Sequence, residues 1–236
     1  MILFQRAQHG ARKAARRHER ATQDTGRHQH TGQHPVQLSV MWVMLATLFL
    51  SSCIQEPTES FRDLSVTLTD HRGQTVTFPD DYLGSPMMIG YVYTNCPDIC
   101  SLITANVNQI EGLVRDSNPE LADPSSENQP SYIIMTFDPA RDTPEQMAKY
   151  AASFNMADEP FHFLTGDSTA IQTVMERMRV RTSVSYDTVS ASGERVYFLS
   201  HSDKIYLLDE DASLVYEYGG SMTTPTMMAE DLSNEL

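Results

Sequence analysis

Residues 91–100 read Tyr-Val-Tyr-Thr-Asn-Cys-Pro-Asp-Ile-Cys, and they join a strand-like segment to a helical one. Upstream, residues 86–93 form an apolar run of the length that buried strands have. Downstream, apolar residues recur with the three- and four-residue spacing of an amphipathic helix at Ile99, Ile103, Val107, Ile110 and Val114. Pro97 suits a first helical turn, because the N–H group that it lacks would have no partner there. The pattern therefore predicts a strand that leads into two cysteines at the start of a helix.

The cysteines of this stretch, Cys96 and Cys100, are separated by three residues. Residues four apart in a helix lie on one face, so we expect both sulfurs to point to the same side. A helix N-terminus also lowers the pKa of a thiol. Two such thiolates can close a disulfide or hold a soft metal such as Cu(I) or zinc, and a buried structural pair is a third alternative. The two-residue spacing of redox motifs is absent here, which favours metal without excluding redox chemistry.

The N-terminal part of the chain differs in charge from the rest. Residues 1–52 carry seven basic and two acidic residues, and the remaining residues carry ten basic and 29 acidic ones. An apolar run over 36–50 follows the basic region, as in an export signal, and leads to Leu-Ser-Ser-Cys53. This ending resembles the lipobox of bacterial lipoproteins, whose cysteine is acylated. We expect an exported lipoprotein anchored by lipid on Cys53 and facing the periplasm or cell exterior; an uncleaved N-terminal anchor is the alternative.

Three segments are expected along the chain: the basic region and signal at 1–52, a tether at 53–63, and one domain at 64–236. The net charge of −14 argues against nucleic-acid binding, which needs a basic surface. The histidine in the turn of the first predicted hairpin, His71, is expected to be solvated.

Strand-like and helical segments alternate within the domain, which predicts an α/β fold with a central mixed sheet flanked by helices. Strands are expected at 64–69, 74–78, 86–93, 132–137, 161–164, 195–199, 204–208 and 214–218. After the cysteine helix, further helices are expected to begin near Thr143, Gly166 and Thr224, and loops are expected at 118–130 and 181–194.

Three motifs follow one another in the domain. They are Cys-Pro-Asp-Ile-Cys at 96–100, Asp-Pro-Ala-Arg-Asp-Thr-Pro at 138–144, and His-Ser at 201–202 before the strand-like residues 205–209. In this order the motifs resemble the SCO/SenC family, the thioredoxin-fold copper proteins that help to assemble cytochrome c oxidase. The resemblance covers residues 64–218.

This resemblance implies a thioredoxin-like fold and copper ligands at Cys96, Cys100 and His201, with Asp138 near the site. It also implies that a copper-accepting oxidase subunit is the partner. Two thiolates and one imidazole suit Cu(I) in a low-coordinate site, and they suit Cu(II) when an oxygen ligand is added. The same two sulfurs form a Cys96–Cys100 disulfide when they are oxidised, and metal and disulfide then exclude each other.

The sequence departs from the family pattern at several positions. Ser101 stands where the family usually has proline, Ser200 stands where an aspartate usually precedes the histidine, and the lead-in at 91–93 lacks the usual glycine. Because a hydrogen-bond partner orients a ligating imidazole, the missing aspartate bears on metal affinity and on the preferred oxidation state.

Three functions use the same cysteine pair: a membrane-tethered copper chaperone, a thiol–disulfide oxidoreductase, and a redox or copper sensor. His201 favours the metal-binding functions, because disulfide exchange does not need a distant imidazole. Three methionines near the C-terminus, Met222, Met227 and Met228, offer thioethers, but a methionine in a helix usually fills the core.

Overall fold

The computed structural model describes residues 59–122, 126 and 129–236. The strands are β1 (Val66–Asp70), β2 (Thr75–Phe78), β3 (Met87–Val92), β4 (Ser131–Thr136), β5 (Phe161–Thr165), β6 (Thr182–Val189), β7 (Arg195–His201), β8 (Ile205–Leu208) and β9 (Leu214–Tyr218). The α-helices are α1 (Cys100–Ser117), α2 (Pro144–Ser153), α3 (Ser168–Arg177) and α4 (Pro225–Ser233), and short 3-10 helices span Asp80–Tyr82 and Pro119–Ala122.

Seven strands form one mixed sheet in the order β2-β1-β5-β4-β3-β8-β9, and β6 and β7 form a separate hairpin. The three central strands β3, β4 and β5 are parallel, whereas the outer neighbours pair antiparallel. α1 packs on β3, α2 on β5 and α3 on β1. The predicted α/β fold with a central mixed sheet is confirmed.

The centre of the sheet explains why its strands are apolar throughout. Every residue of β3 and β8 is buried, as expected for strands covered on both faces. On α1, the predicted stripe from Ile103 to Val114 is buried against them, and each such side chain contributes about 1.5–3 kcal/mol. Gly90 permits this close packing, because a Cβ atom there would lie 3.1 Å from Ile103 and 3.2 Å from Ile134.

Two helix starts follow the local signals in the sequence. The Thr143 hydroxyl accepts a hydrogen bond from the Gln146 N–H at 3.3 Å, and Pro144 occupies the first helical position of α2. Asp167 caps α3 through bonds of 2.9 Å from Thr169 and Ala170.

Two sequence expectations are wrong. Residues 182–189 form a strand rather than a loop, and all eight of them are exposed, so no buried face produces a period-two pattern. His71 is buried rather than solvated: its Nε2 lies 2.9 Å from the Ala157 carbonyl oxygen, and its Nδ1 accepts a bond from the Phe163 N–H.

The chain enters the domain before β1. Ser60 bridges to Ser213, Phe61 is 1% exposed, and Glu59 pairs with Arg177 at 3.2 Å. Residues 59–63, assigned to the tether from sequence, therefore pack on the domain. The expected signal at 1–52 and the lipid site Cys53 lie outside the described residues and stay predictions. Within the part of the chain that is described, no helix has the length and hydropathy needed to cross a membrane.

Candidate metal centre

Three side chains from separate parts of the chain converge at one end of the sheet. The Cys96 and Cys100 sulfurs and a His201 ring nitrogen all lie within 4.8 Å of one another. His201 Nε2 is 3.4 Å from the Cys100 sulfur and 3.9 Å from the Cys96 sulfur. Within the described part of the chain, no other group of three histidine, cysteine or acidic side chains is spaced closely enough to hold a metal ion. The structure thus brings together the three residues predicted as ligands.

Cys96 does not lie in the helix, which corrects the sequence expectation. α1 begins at Cys100, and Ile99 is its N-cap. Cys96 belongs to the preceding turn, in which its N–H donates to the Tyr93 carbonyl oxygen at 3.1 Å. The sulfurs converge because of this turn rather than because of four-residue spacing on one helix face.

The two thiols differ in exposure. Cys100 is 1% exposed, whereas Cys96 is half-buried. Burial raises the pKa of the Cys100 thiol well above its ordinary value, and the neighbouring Cys96 acts in the same direction. The expectation of a lowered pKa at the helix start is therefore wrong for Cys100, and burial is the largest cause of the raised pKa. Both cysteines are free, and the Cys96–Cys100 disulfide stays a prediction.

His201 is the last residue of β7, and its ring is oriented by three neighbours. Nδ1 lies 2.9 Å from the Ser202 carbonyl oxygen, so we infer that Nδ1–H donates there and that the Nε2 lone pair faces the sulfurs. The Phe137 ring lies 4.6 Å from the imidazole, and the Tyr93 ring meets it edge-on at 6.1 Å. The Ser202 carbonyl thus supplies a hydrogen-bond partner that orients the imidazole.

Asp142 is a site residue that sequence reasoning missed. This buried carboxylate accepts hydrogen bonds from the N–H and hydroxyl of Thr94 and from the hydroxyl of Thr136. It therefore ties the turn that carries Cys96 to the end of β4. Burial raises the pKa of Asp142, and the two threonines oppose the shift. Its place in the motif at 138–144 was the available signal.

Asp138 lies beside Phe137 and fixes the hairpin rather than pointing at the sulfurs. It accepts hydrogen bonds from Arg141 Nε and, at 2.7 Å, from the Tyr197 hydroxyl. The Arg141 guanidinium also donates to the Tyr197 carbonyl oxygen and stacks 3.5 Å from the Tyr197 ring. Farther along β7, the Leu199 N–H donates to the Tyr93 hydroxyl at 3.1 Å. These contacts hold the strand that ends at His201.

Comparison with known proteins places this fold and site in a known family. A model of SCO1/SenC matches residues 58–236. The chain belongs to the SCO1/SenC family. It is 28% identical over 170 residues to the protein sco1 of Schizosaccharomyces pombe, covering 72% of this chain and 57% of that protein. It is 24% identical over 185 residues to the SCO1 protein homolog of Bacillus subtilis, covering 77% and 87%. It is 30% identical over 188 residues to the mitochondrial SCO2 homolog of Homo sapiens, covering 77% and 63%.

Solved structures of SCO1/SenC proteins share the architecture. Bradyrhizobium japonicum ScoI, solved with copper bound, is 28% identical with a TM-score of 0.58, covering 73% of this chain and 98% of that one. Yeast Sco1 is 22% identical with a TM-score of 0.59, covering 72% and 94%. The thioredoxin-like fold implied by the sequence resemblance is confirmed.

Proposed function

We propose that this SCO1/SenC protein binds one copper ion through Cys96, Cys100 and His201 and passes it to a copper-accepting subunit of cytochrome c oxidase. The observation that carries the proposal is the convergence of two sulfurs and one imidazole nitrogen within 4.8 Å. Such donors suit copper. The copper-bound state of the 28% identical Bradyrhizobium japonicum ScoI supports the choice of metal.

We infer an order of ligand exchange during transfer from the burial of the three proposed ligands. Cys100 is buried, whereas Cys96 and His201 are half-buried. Incoming thiolates of the acceptor replace Cys96 and His201 first, and Cys100 releases the ion last. Cu(I) needs only the two thiolates, while Cu(II) uses the imidazole and an added oxygen ligand.

Membrane attachment is part of the same proposal. Lipid on Cys53 anchors the exported chain at the membrane, facing the periplasm or cell exterior, and residues 54–58 connect the anchor to the domain. The apolar run followed by Leu-Ser-Ser-Cys53 supports this attachment.

A thiol–disulfide oxidoreductase is the second candidate, because the sulfurs of the two free thiols lie within 4.8 Å of each other. In that reaction the more exposed Cys96 attacks the substrate disulfide, and Cys100 resolves the mixed disulfide. The oxidoreductase has no use for His201, so the histidine separates the two functions.

Metal analysis of anaerobically purified protein tests the copper proposal. Reduced protein is expected to bind one Cu(I) per chain, and a Cys96→Ser/Cys100→Ser variant is expected to bind almost none. Mixing loaded protein with the copper-free acceptor domain is then expected to move copper to the acceptor. Equal loading of the double variant overturns the binding site. Reduced, copper-free protein that reduces the acceptor's disulfide, together with loaded protein that keeps its copper in the presence of the acceptor, favours the oxidoreductase.

A further inference from the structure

The hairpin that carries His201 has an open edge. Among the described residues, β6 pairs with β7 alone. The opposite side of β7 is occupied, because Arg141 and the Tyr93 hydroxyl bind its backbone at Tyr197 and Leu199. The unpaired edge of this small sheet therefore belongs to β6.

The side-chain composition of β6 also favours pairing with a further strand. Five large apolar side chains are exposed in the described part of the chain, and three of them lie on β6: Val184 (54%), Tyr186 (51%) and Val189 (66%). β6 contains neither lysine nor proline, the residues that commonly block edge pairing. Its one charged residue, Asp187, is bound by Arg195 within the hairpin.

Opposite His201, backbone N–H and C=O groups of β6 point away from β7. Ser202 N–H donates to the Arg181 carbonyl oxygen at 2.9 Å, so these two residues are bonded across the hairpin. Bonded and non-bonded pairs alternate in an antiparallel ladder. Thr182, opposite His201, and Val184, opposite Leu199, therefore direct their N–H and C=O groups outward. A bulge between Val184 and Tyr186 interrupts the ladder. The regular stretch of β6 is therefore Thr182–Val184, which is the part opposite His201.

A groove of about 540 Å³ continues from this edge. It lies between α3 and the loop after β4, beside Arg181 and Thr182, and Phe137 at one side of it also contacts His201. Its apolar lining includes Ile171, Met175 and Val180. Polar side chains of Gln172, Glu176 and Arg181 also line the groove, so an extended segment paired with Thr182 has a mixed polar and apolar path onward, next to the proposed metal ligand.

We propose that β6 receives an extended segment of the copper acceptor by strand addition, pairing at Thr182–Val184. This inference rests on the proposed function and names the surface that the acceptor uses. A strand added to β6 lies about 5 Å from β6 and about 10 Å from β7. A strand paired at Thr182–Val184 has one end level with His201, two strand spacings away, so it is the residues beyond that end that continue toward the site. A second copy of this chain is not a copper acceptor in the proposed function, so self-association is the alternative that the test must separate.

Hydrogen exchange on the full-length lipoprotein in detergent tests this pairing. The probe is the copper-free acceptor domain of the oxidase subunit from the same organism. Adding it is expected to slow exchange of the Thr182 and Val184 amides at least about tenfold. Unchanged exchange of these amides overturns the proposal. Protection that is already complete in the free protein, or that follows self-association alone, overturns the choice of occupant.

Three variants separate backbone pairing from loss of apolar surface. Val184→Pro removes an outward N–H and is expected to weaken acceptor binding about tenfold. Val184→Thr keeps that N–H, and Met222→Ser removes an apolar side chain that is 85% exposed outside the hairpin; both are expected to bind the acceptor nearly as the wild type does. An unchanged Cu(II) spectrum verifies that Val184→Pro keeps His201 in place. Equal binding by all variants contradicts strand addition. If the amides are protected but no variant or wild type binds copper, docking stands and the proposed function fails.

Discussion

At the residue scale, the candidate site depends on the different surroundings of its three proposed ligands. Cys100 is buried at the start of α1, Cys96 sits in an exposed turn, and His201 presents Nε2 because Nδ1 is bonded to a carbonyl oxygen. A single change at each residue therefore has a different expected effect.

His201→Ala is expected to abolish tetragonal Cu(II) binding but to weaken Cu(I) only about tenfold, because two thiolates suffice for Cu(I). Electron paramagnetic resonance measures the first effect, and competition titration measures the second. His162→Ala is the control, since that histidine pairs with Glu159 instead. An unaltered Cu(II) spectrum in His201→Ala would mean that the imidazole is not a ligand.

Asp142→Ala is expected to destabilise the fold by about 2–4 kcal/mol, because it leaves donors of Thr94 and Thr136 unpaired. Copper affinity is expected to fall with it, since the turn that carries Cys96 loses its anchor. Urea unfolding measures the stability. Asp98→Ala, which changes an exposed aspartate near the site, is expected to alter it by less than about 0.5 kcal/mol. Equal effects of the two changes would show that Asp142 is not an anchor.

At the scale of elements, the hairpin of β6 and β7 is what carries His201 to the cysteines. The Tyr93 hydroxyl binds the backbone of β7 at Leu199. At Tyr197, Arg141 binds the backbone carbonyl and Asp138 accepts a hydrogen bond from the hydroxyl. The order of the motifs thus has a structural reason: the Asp138 segment positions the strand that carries His201, the proposed third ligand.

Tyr197→Phe removes the hydroxyl that donates to Asp138 but keeps the ring under Arg141. It is expected to cost about 1 kcal/mol of stability and to weaken Cu(II) several-fold, with Cu(I) unchanged. Calorimetry and spin resonance measure these effects. The matched control is Tyr186→Phe, which changes an exposed tyrosine on β6; a Tyr197→Phe variant that behaves like this control would contradict the positioning role.

Sequence patterns predicted the elements that have a buried face. The stripe of α1 and the apolar runs of β3 and β4 follow directly from packing. β6 escaped detection because it buries no face. The start of α1 was misplaced, since Pro97 fits a tight turn as well as a helix. The meeting of His201 with Cys100 follows from tertiary structure, and only the resemblance to SCO/SenC proteins indicated it.

At the scale of the molecule, the first described residues lie at one end of the strands of the sheet, and the candidate metal centre lies at the other end. Ser60 bridges to Ser213 beside the start of β9, and β8 aligns that end with Met87 at the start of β3, whereas Cys96 follows the end of β3.

Lipid attachment at Cys53 is expected because an apolar run leads to Leu-Ser-Ser-Cys. Mass spectrometry of membrane-extracted protein is expected to show a chain that begins at an acylated Cys53. A Cys53→Ser variant is expected to remain an unmodified precursor without lipid. An intact N-terminus, or an unmodified Cys53, would rule out this anchor.

The contribution of His71 to the stability of the fold is expected to fall as the pH drops from neutral. Burial lowers the pKa of His71, the hydrogen bond to the Ala157 carbonyl opposes this shift, and Arg72 and His162 lower the pKa further while Asp70 raises it. The unfolded chain therefore binds more protons at His71 below about pH 6.5, and the stabilisation by neutral His71 is lost as the pH falls toward its folded pKa. Urea unfolding between pH 7 and pH 5 measures this slope. His71→Gln is expected to flatten it, and an identical slope in the variant would contradict the assignment.

X-ray absorption at the copper edge of the loaded, full-length protein tests the three-ligand site most directly. In the oxidised copper state we expect two sulfur neighbours and one imidazole nitrogen, with one sulfur lost in Cys96→Ser and the imidazole signal lost in His201→Ala. A spectrum without sulfur neighbours, or one that neither substitution changes, would contradict a copper centre built from Cys96, Cys100 and His201.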